Sequence, residues 1–170
     1  MEKRGQGIFG ISFGALFSIF IIIAILAVGF FVIRSLLDVN DCAEIGLFKK
    51  ELQAQIDDAW ASGSVDKNWP SSDTVKFPND LEAICFGTLS LPVDGTNNYF
   101  YSKIVPLNTP SEANIYFYPP EICKDLFYNE LEKVHFNNFF CINATNGKLE
   151  DPIKLRYNDR NDLFVNISSS

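Results

Sequence analysis

The sequence is poor in the residues and motifs on which most catalytic sites depend. It contains a single histidine, His135, and none of its four cysteines belongs to a C-x-x-C pair. A Cys–His nucleophile would need one free cysteine beside that histidine. The nucleotide-binding G-x-x-x-x-G-K-S/T and zinc-binding H-E-x-x-H motifs are absent as well. We therefore predict that the protein is not an enzyme, holds no metal ion and uses no cofactor.

Charge is missing from one long stretch of the chain. No charged residue occurs between Gly5 and Ile33, and the strongly apolar part of this run is 8–33. As an α-helix that part extends about 39 Å, whereas the hydrocarbon core of a bilayer is roughly 30 Å thick. The apolar region of a cleaved secretory signal is much shorter. The run therefore predicts a transmembrane helix at 8–33, with the lipid bilayer as its partner.

The distribution of charge indicates which side of the membrane each end occupies. Lys3 and Arg4 precede the span, while Arg34 is the basic residue closest after it. Positively charged residues favour the cytoplasmic side, so we expect a cytoplasmic N-terminus and an extracytoplasmic C-terminal domain in the cell membrane. The net charge of -7 argues against nucleic acid as a partner.

The four cysteines all follow the predicted anchor. An even number in an extracytoplasmic domain favours two disulfides, in one of three connectivities. Free buried thiols and a metal site are the alternatives that the sequence leaves open. The disulfide candidates are Cys42, Cys85, Cys123 and Cys141.

Two N-x-S/T sequons point to the same compartment. They begin at Asn143 and Asn166, which are therefore glycosylation candidates. The alternative is that both are unmodified polar residues in turns.

The anchor also carries a stripe of small residues. Gly10, Gly14 and Ser18 recur at four-residue steps and so lie on one face of a helix. Small residues allow a second backbone to approach closely. We expect this face to mediate self-association or contact with another membrane helix.

The apolar pattern continues past the membrane span, in amphipathic form. Apolar residues recur at spacings of three and four, with charged and polar residues between them, and Gly63 is a plausible end. The pattern predicts either one long helix or a helix with a break at 38–41. The face expected to pack on a sheet comprises Ile45, Phe48, Leu52, Ile56 and Trp60.

The remainder of the chain has the pattern of strands and turns. Short runs of β-branched and aromatic residues alternate with Pro, Asn, Asp and Gly clusters, and Asn146-Gly147 is a strong hairpin signal. A short helix or irregular structure is expected at 121–135. The predicted strands are 74–77, 83–91, 98–105, 114–118, 139–143, 148–157 and 163–167.

These elements together predict an α+β fold in which a long N-terminal helix packs on a mostly antiparallel β-sheet domain. The helix is transmembrane first and amphipathic later. The predicted organisation is a short basic leader (1–7), a transmembrane helix (8–33), an amphipathic helix or stalk (34–63) and a β-rich extracellular domain (64–170).

The N-terminal half of this pattern resembles the type IV pilins. Lys3-Arg4-Gly5-Gln6 ahead of an apolar helix is similar to the class III signal of archaeal pilin-like proteins. The chain is also similar to small uncharacterised archaeal membrane proteins that begin with a related run. The pilin resemblance implies cleavage between Gly5 and Gln6 by a membrane peptidase. Gly10 stands where many pilins carry a glutamate.

We accordingly expect a single-pass surface protein that acts by assembly or binding, as a pilin-like or pseudopilin-like subunit. The alternatives are an anchored extracytoplasmic domain that binds a ligand or partner, and an accessory subunit of a membrane complex.

Overall fold

The computed structural model describes residues 13–70, 75–93, 98–158 and 163–169. The chain divides into two compact units, Met1–Leu37 and Asp38–Ser170. Helix α1, Phe13–Ser62, contributes to both units. The predicted basic leader, 1–7, lies outside the described residues.

Helix α1 is helical throughout 38–41, so the alternative of a break there is wrong. No proline interrupts the segment, and single glycines inside a helix cost only about 1 kcal/mol each. The helix ends where Gly63 adopts φ 75°, a left-handed conformation that glycine accepts without strain. The Ser62 hydroxyl donates a hydrogen bond to the Ala59 carbonyl at 2.8 Å. The predicted stop at Gly63 is confirmed.

The buried face of α1 differs from the predicted face at one residue. Trp60 is 43% exposed, whereas Ala59 is fully buried. At about 100° per residue, Ala59 lies about 20° from the centre of the buried stripe and Trp60 lies about 80° from it. Helical geometry therefore places the small alanine, and not the tryptophan, against the sheets. The other buried members of the stripe are Ile45, Phe48, Leu52 and Ile56.

Polar contacts fix the exposed side of α1 to the loop around Leu131. The Gln53 side chain accepts a hydrogen bond from the Glu132 N–H at 3.0 Å and donates one to the Glu132 carbonyl at 3.3 Å. The Lys133 ammonium lies 2.9 Å from the Asp57 carboxylate and 4.6 Å from the centre of the Trp60 ring. These contacts set the orientation of the helix against the β domain.

The rest of the described chain forms nine strands, one short helix and two 3-10 turns. The helix α2 is Asn98–Ile104, and the 3-10 turns are Val105–Leu107 and Pro120–Ile122. The strands are β1 (Ser64–Trp69), β2 (Ala83–Phe86), β3 (Ile115–Tyr118), β4 (Tyr128–Asn129), β5 (Val134–His135), β6 (Phe140–Thr145), β7 (Lys148–Leu149), β8 (Ile153–Asn158) and β9 (Val165–Ser169).

The strands form two sheets. The four-stranded sheet has the order β1-β8-β9-β5, and the five-stranded sheet has the order β4-β3-β2-β6-β7. All strand pairs are antiparallel except β5 with β9. The predicted α+β class, with a long helix on a mostly antiparallel sheet domain, is confirmed. At the β6–β7 hairpin, Asn146 and Gly147 both adopt positive φ, as the sequence signal predicts.

Several predicted strands are wrong. Asn98–Ile104 is helix α2, and residues 75–77 are not a strand; Thr74 lies outside the described residues. The run at 98–105 reads as a strand because it is aromatic, but its rings pack against a sheet instead of lying within one. Phe100 contacts the Tyr118 ring at 5.4 Å, and Tyr101 contacts the Phe139 ring at 5.2 Å. Tertiary packing here overrides local propensity.

The remaining differences concern the limits of elements. The strand predicted at 83–91 ends at Phe86, because Gly87 turns the chain with φ 105°. The strand predicted at 148–157 is two strands, β7 and β8, separated by a bend at 150–152. Residues 121–135 contain two short strands and no α-helix.

The main core lies among α1 and the inner faces of both sheets. Phe48 is the largest fully buried side chain of the helix, and its ring contacts Trp69, Phe77 and Phe117 at centroid distances of 4.8 to 5.9 Å. A second, smaller cluster covers the other face of the five-stranded sheet, where Ile104 of α2 packs with Tyr116 and Phe139. The domain thus buries both faces of the five-stranded sheet.

Candidate functional site

The most unusual surface of the protein is the apolar half of α1. Within the described residues, one helix is long and apolar enough to cross a membrane, and its most apolar stretch is exposed throughout. Its large apolar side chains from Leu16 to Ile33 have exposed fractions between 44% and 75%. Water would hydrate this surface at a high free-energy cost. The helix is consistent with a membrane anchor.

Two residues of the predicted small-residue stripe lie on this helix. Gly14 and Ser18 are both exposed, and the Ser18 hydroxyl donates a hydrogen bond to the Gly14 carbonyl at 2.8 Å. The Ser18 hydroxyl is therefore satisfied within its own helix and is not an unpaired donor. Gly10, the third member of the stripe, lies outside the described residues, as do the predicted cleavage residues Gly5 and Gln6.

The first charged residue after the apolar run is also accommodated locally. The Arg34 guanidinium lies 4.8 Å from the centre of the Phe30 ring, one turn earlier in α1. An arginine stacked on an aromatic ring keeps its charge while covering apolar surface. Arg34 thus adds its aliphatic stem to the apolar surface at the end of the run.

All four cysteines form disulfides. Cys42 pairs with Cys123, and Cys85 pairs with Cys141. The first disulfide joins α1 to the residue after the second 3-10 turn, and the second joins the neighbouring strands β2 and β6. With the thiols oxidised, neither thiolate chemistry nor a cysteine metal site is available. Disulfides of this kind are typical of an oxidising, extracytoplasmic compartment.

The sequon at Asn143 is engaged by a neighbouring carboxylate. The Glu150 carboxylate accepts hydrogen bonds from the Thr145 hydroxyl at 2.7 Å and from the Asn143 amide at 3.2 Å. These two donors, the hydroxyl first, lower the pKa of Glu150 below its ordinary value. The two polar side chains that define the sequon are therefore paired in the folded domain.

The sequon at Asn166 lies on a different surface, the outer face of the four-stranded sheet. Asn166 of β9 pairs with Arg156 of β8 on one side and with His135 of β5 on the other. Arg156 in turn pairs with Asp66 of β1. Because directly paired residues point to the same face of a sheet, these four side chains form one row across all four strands.

Three members of this row, Asp66, Arg156 and Asn166, line a polar depression with a cavity volume of about 740 Å³. The neighbouring positions add Lys154 and Ser168, which are directly paired on β8 and β9. Sequence reasoning missed this site. The alternation of apolar and polar residues along β8 was available as a signal, but the pairing of β1 with β8, which are far apart in sequence, was not.

The described residues hold little else with catalytic character. His135 is exposed on a two-residue strand, and no group of three or more His, Cys, Asp or Glu side chains lies together in the described parts of the chain. The sequence at 5–10 matches G-x-G-x-x-G and that at 10–14 matches G-x-S-x-G. Either motif indicates a site only between a strand and a helix, whereas both lie in an apolar run whose described part, from Phe13 onward, is helix α1.

No protein-family model, curated protein sequence or solved structure matches this chain.

Proposed function

We propose that the protein is a single-pass membrane protein whose disulfide-bonded domain lies outside the cytoplasm and acts by assembly. In this proposal α1 spans the bilayer with its apolar half, and the N-terminus is cytoplasmic. The protein serves as a pilin-like or pseudopilin-like subunit.

One observation carries the anchoring part of this proposal. The apolar stretch of α1 is exposed throughout, although the same helix buries Phe48, Leu52 and Ile56 completely in the domain. Because the apolar residues of the second unit are buried so completely, we infer that the exposed apolar residues of the first unit face a solvent other than water. Lipid is the solvent that suits a helix of this length.

The two disulfides support an extracytoplasmic domain. They close loops of 81 and 56 residues, and cross-links of this length stabilise a domain strongly. The stabilisation is present only in an oxidising compartment, where disulfides persist. Lys3 and Arg4 lie close before the span, whereas Arg34 is the one basic residue close after it. This difference favours a cytoplasmic N-terminus.

The assembly role rests on the stripe of small residues and on the resemblance to pilins. Gly14 and Ser18 give a second helix close access to the backbone, and the internal hydrogen bond of Ser18 removes the cost of burying its hydroxyl. A non-catalytic role agrees with cysteines that are all in disulfides.

The mature N-terminus tests the pilin-like part of the proposal. Mass spectrometry of protein from native membranes and from sheared surface material would identify the first residue. A chain that begins at Gln6 supports processing as a pilin-like precursor. A chain that retains Met1 or Glu2 contradicts it and leaves a simple membrane anchor.

A further inference from the structure

The outer face of the four-stranded sheet has the chemistry of a binding site. We propose that it binds an acidic oligosaccharide, with the carboxylate of the sugar acid on Arg156 and the sugar hydroxyls on the neighbouring amide and hydroxyl side chains. This inference does not depend on assembly through the membrane helix.

The size of the depression suits a small polar ligand. Its volume of about 740 Å³ lies within the roughly 300–1,000 Å³ typical of small-molecule sites. Strands β1, β8 and β9, about 4.8 Å apart, place Asp66 and Asn166, the ends of the lining part of the row, about 10 Å from each other. A ligand of a few sugar rings would reach across the strands.

The charges of the depression favour an anion. Arg156 and Lys154 lie two residues apart on β8, and Asp66 is the carboxylate that lines the depression with them. Asp66 lies 3.4 Å from the Lys154 ammonium. Among the described residues no carboxylate lies within ion-pair distance of Arg156. A cationic centre of this kind stands out in a chain with a net charge of -7.

The geometry of arginine favours a carboxylate as the anion. The planar guanidinium presents parallel N–H donors that match the two oxygens of a carboxylate. The exposed ion pair between Lys154 and Asp66 contributes little free energy, so Lys154 is available to assist at small cost.

The neutral side chains favour a ligand rich in hydroxyl groups. The depression is also lined by Ser64, Asn137, Asn166 and Ser168. These amide and hydroxyl groups both donate and accept hydrogen bonds, as sugar hydroxyls do. A purely apolar ligand would leave them unpaired, at a cost of about 1–3 kcal/mol for each buried group. A phosphate-rich polyanion would need more than two cations.

The sequon at Asn166 supplies the competing occupant. A glycan attached to this asparagine would itself cover the face, because Asn166 lies between Arg156 and His135. An intact mass of the protein from native membranes distinguishes the two cases. An unmodified Asn166 supports binding of a free saccharide, and a glycan on Asn166 overturns it.

Calorimetric titration of the full chain in lipid nanodiscs with trigalacturonate tests the proposal directly. We expect saturable binding that is weakened at least about tenfold by Arg156→Gln, because a charge-assisted pair is lost. Lys154→Gln should weaken it less. The matched control, Lys124→Gln, removes one positive charge from an exposed position that does not line the depression and should change affinity less than about twofold.

Two further ligands separate recognition from simple charge attraction. The methyl-esterified trisaccharide, which keeps the hydroxyls but lacks the charge, should bind at least about tenfold more weakly. Inorganic phosphate should not compete at equal concentration. Equal loss in Arg156→Gln and Lys124→Gln, competition by phosphate, or no binding would overturn the proposal. So would self-association that Arg156→Gln abolishes in the absence of saccharide, because a second copy would then occupy the face.

Discussion

Cys42 of α1 and Cys123, the residue after the 3-10 turn that follows β3, are joined by a disulfide that spans 81 residues of sequence. Cys42 lies five residues into the second compact unit and one turn before Ile45, the first buried residue of the α1 stripe. The link therefore fixes the start of the packed part of the helix to the β domain. Cross-links that close long loops reduce the entropy of the unfolded chain most.

Removal of this disulfide should destabilise the domain strongly. For a Cys42→Ala, Cys123→Ala double variant, the loop-closure estimate gives a loss of about 4.5 kcal/mol in the free energy of unfolding. Denaturant unfolding of the full chain in detergent, followed by tryptophan fluorescence, measures it. Reductant provides the control. It breaks both disulfides of the wild-type protein but only Cys85–Cys141 in the variant, so it should lower the midpoint of the wild-type protein further. Equal midpoints for the two proteins without reductant would contradict the predicted role.

Phe48 and Trp60 should differ sharply in their contribution to stability. Phe48 is buried and contacts three aromatic rings, whereas Trp60 is 43% exposed and contacts the Lys133 ammonium. We expect Phe48→Ala to cost about 3–5 kcal/mol and Trp60→Ala about 1 kcal/mol. The same unfolding assay compares the two. A larger loss for Trp60→Ala would restore the predicted face of the helix and contradict the observed one.

The hydrogen bonds of Glu150 predict a defined response to acid. Because Thr145 and Asn143 donate to its carboxylate, the pKa of Glu150 in the folded protein lies below 4.5. Its contribution to stability is therefore complete above the ordinary pKa and is lost as the pH falls through the lowered one. Thr145→Val should raise the pKa of Glu150 towards 4.5.

Carbon-detected NMR titration of the Glu150 carboxyl measures this effect. Thr88→Val is the matched control, because the Thr88 hydroxyl pairs with Ser90 and not with a carboxylate. If the pKa of Glu150 is the same in wild type and Thr145→Val, the hydrogen bond from the hydroxyl does not hold the carboxylate in its charged form.

Bulk on the small-residue stripe should weaken association of the anchor. Gly14→Ile places a branched side chain on the face that includes Ser18. Close packing of small residues drives association of this kind, and a branched side chain keeps the two backbones apart, so the amount of cross-linked dimer should fall sharply. Ala27→Ile is the control, since Ala27 is exposed and lies about 140° around the helix from Gly14. Unchanged cross-linking in Gly14→Ile, or an equal fall in both variants, would contradict association through this stripe.

The parts of the fold that local pattern controls could be read from the sequence. The long helix, its end at Gly63 and the hairpin at Asn146-Gly147 depend on residues close together in the chain, and the structure contains all three. The described part of the apolar run, from Phe13 to Ile33, is likewise the exposed half of α1, and it could be identified without reference to distant residues.

The parts that depend on distant contacts could not be read. The aromatic residues of Asn98–Ile104 have strand propensity, yet they form α2 because the outer face of the five-stranded sheet offers Tyr118 and Phe139 as partners. The row that contains Arg156 and Asn166 exists only because β8 lies between β1 and β9. The sequence therefore predicted the fold class well, but the apolar–polar alternation along β8 did not reveal the strands that pair with it or the depression that they form.

The central claim is that α1 crosses the membrane and leaves the disulfide-bonded domain outside. Labelling of intact cells with a membrane-impermeant amine reagent, followed by peptide mass spectrometry, tests it most directly. Lys124 is exposed in the domain, and Lys3 precedes the apolar run. We expect Lys124 to be labelled in intact cells, and Lys3 to be labelled only after permeabilisation, in chains that still carry residues 1–5. Labelling of Lys124 only after permeabilisation would contradict it.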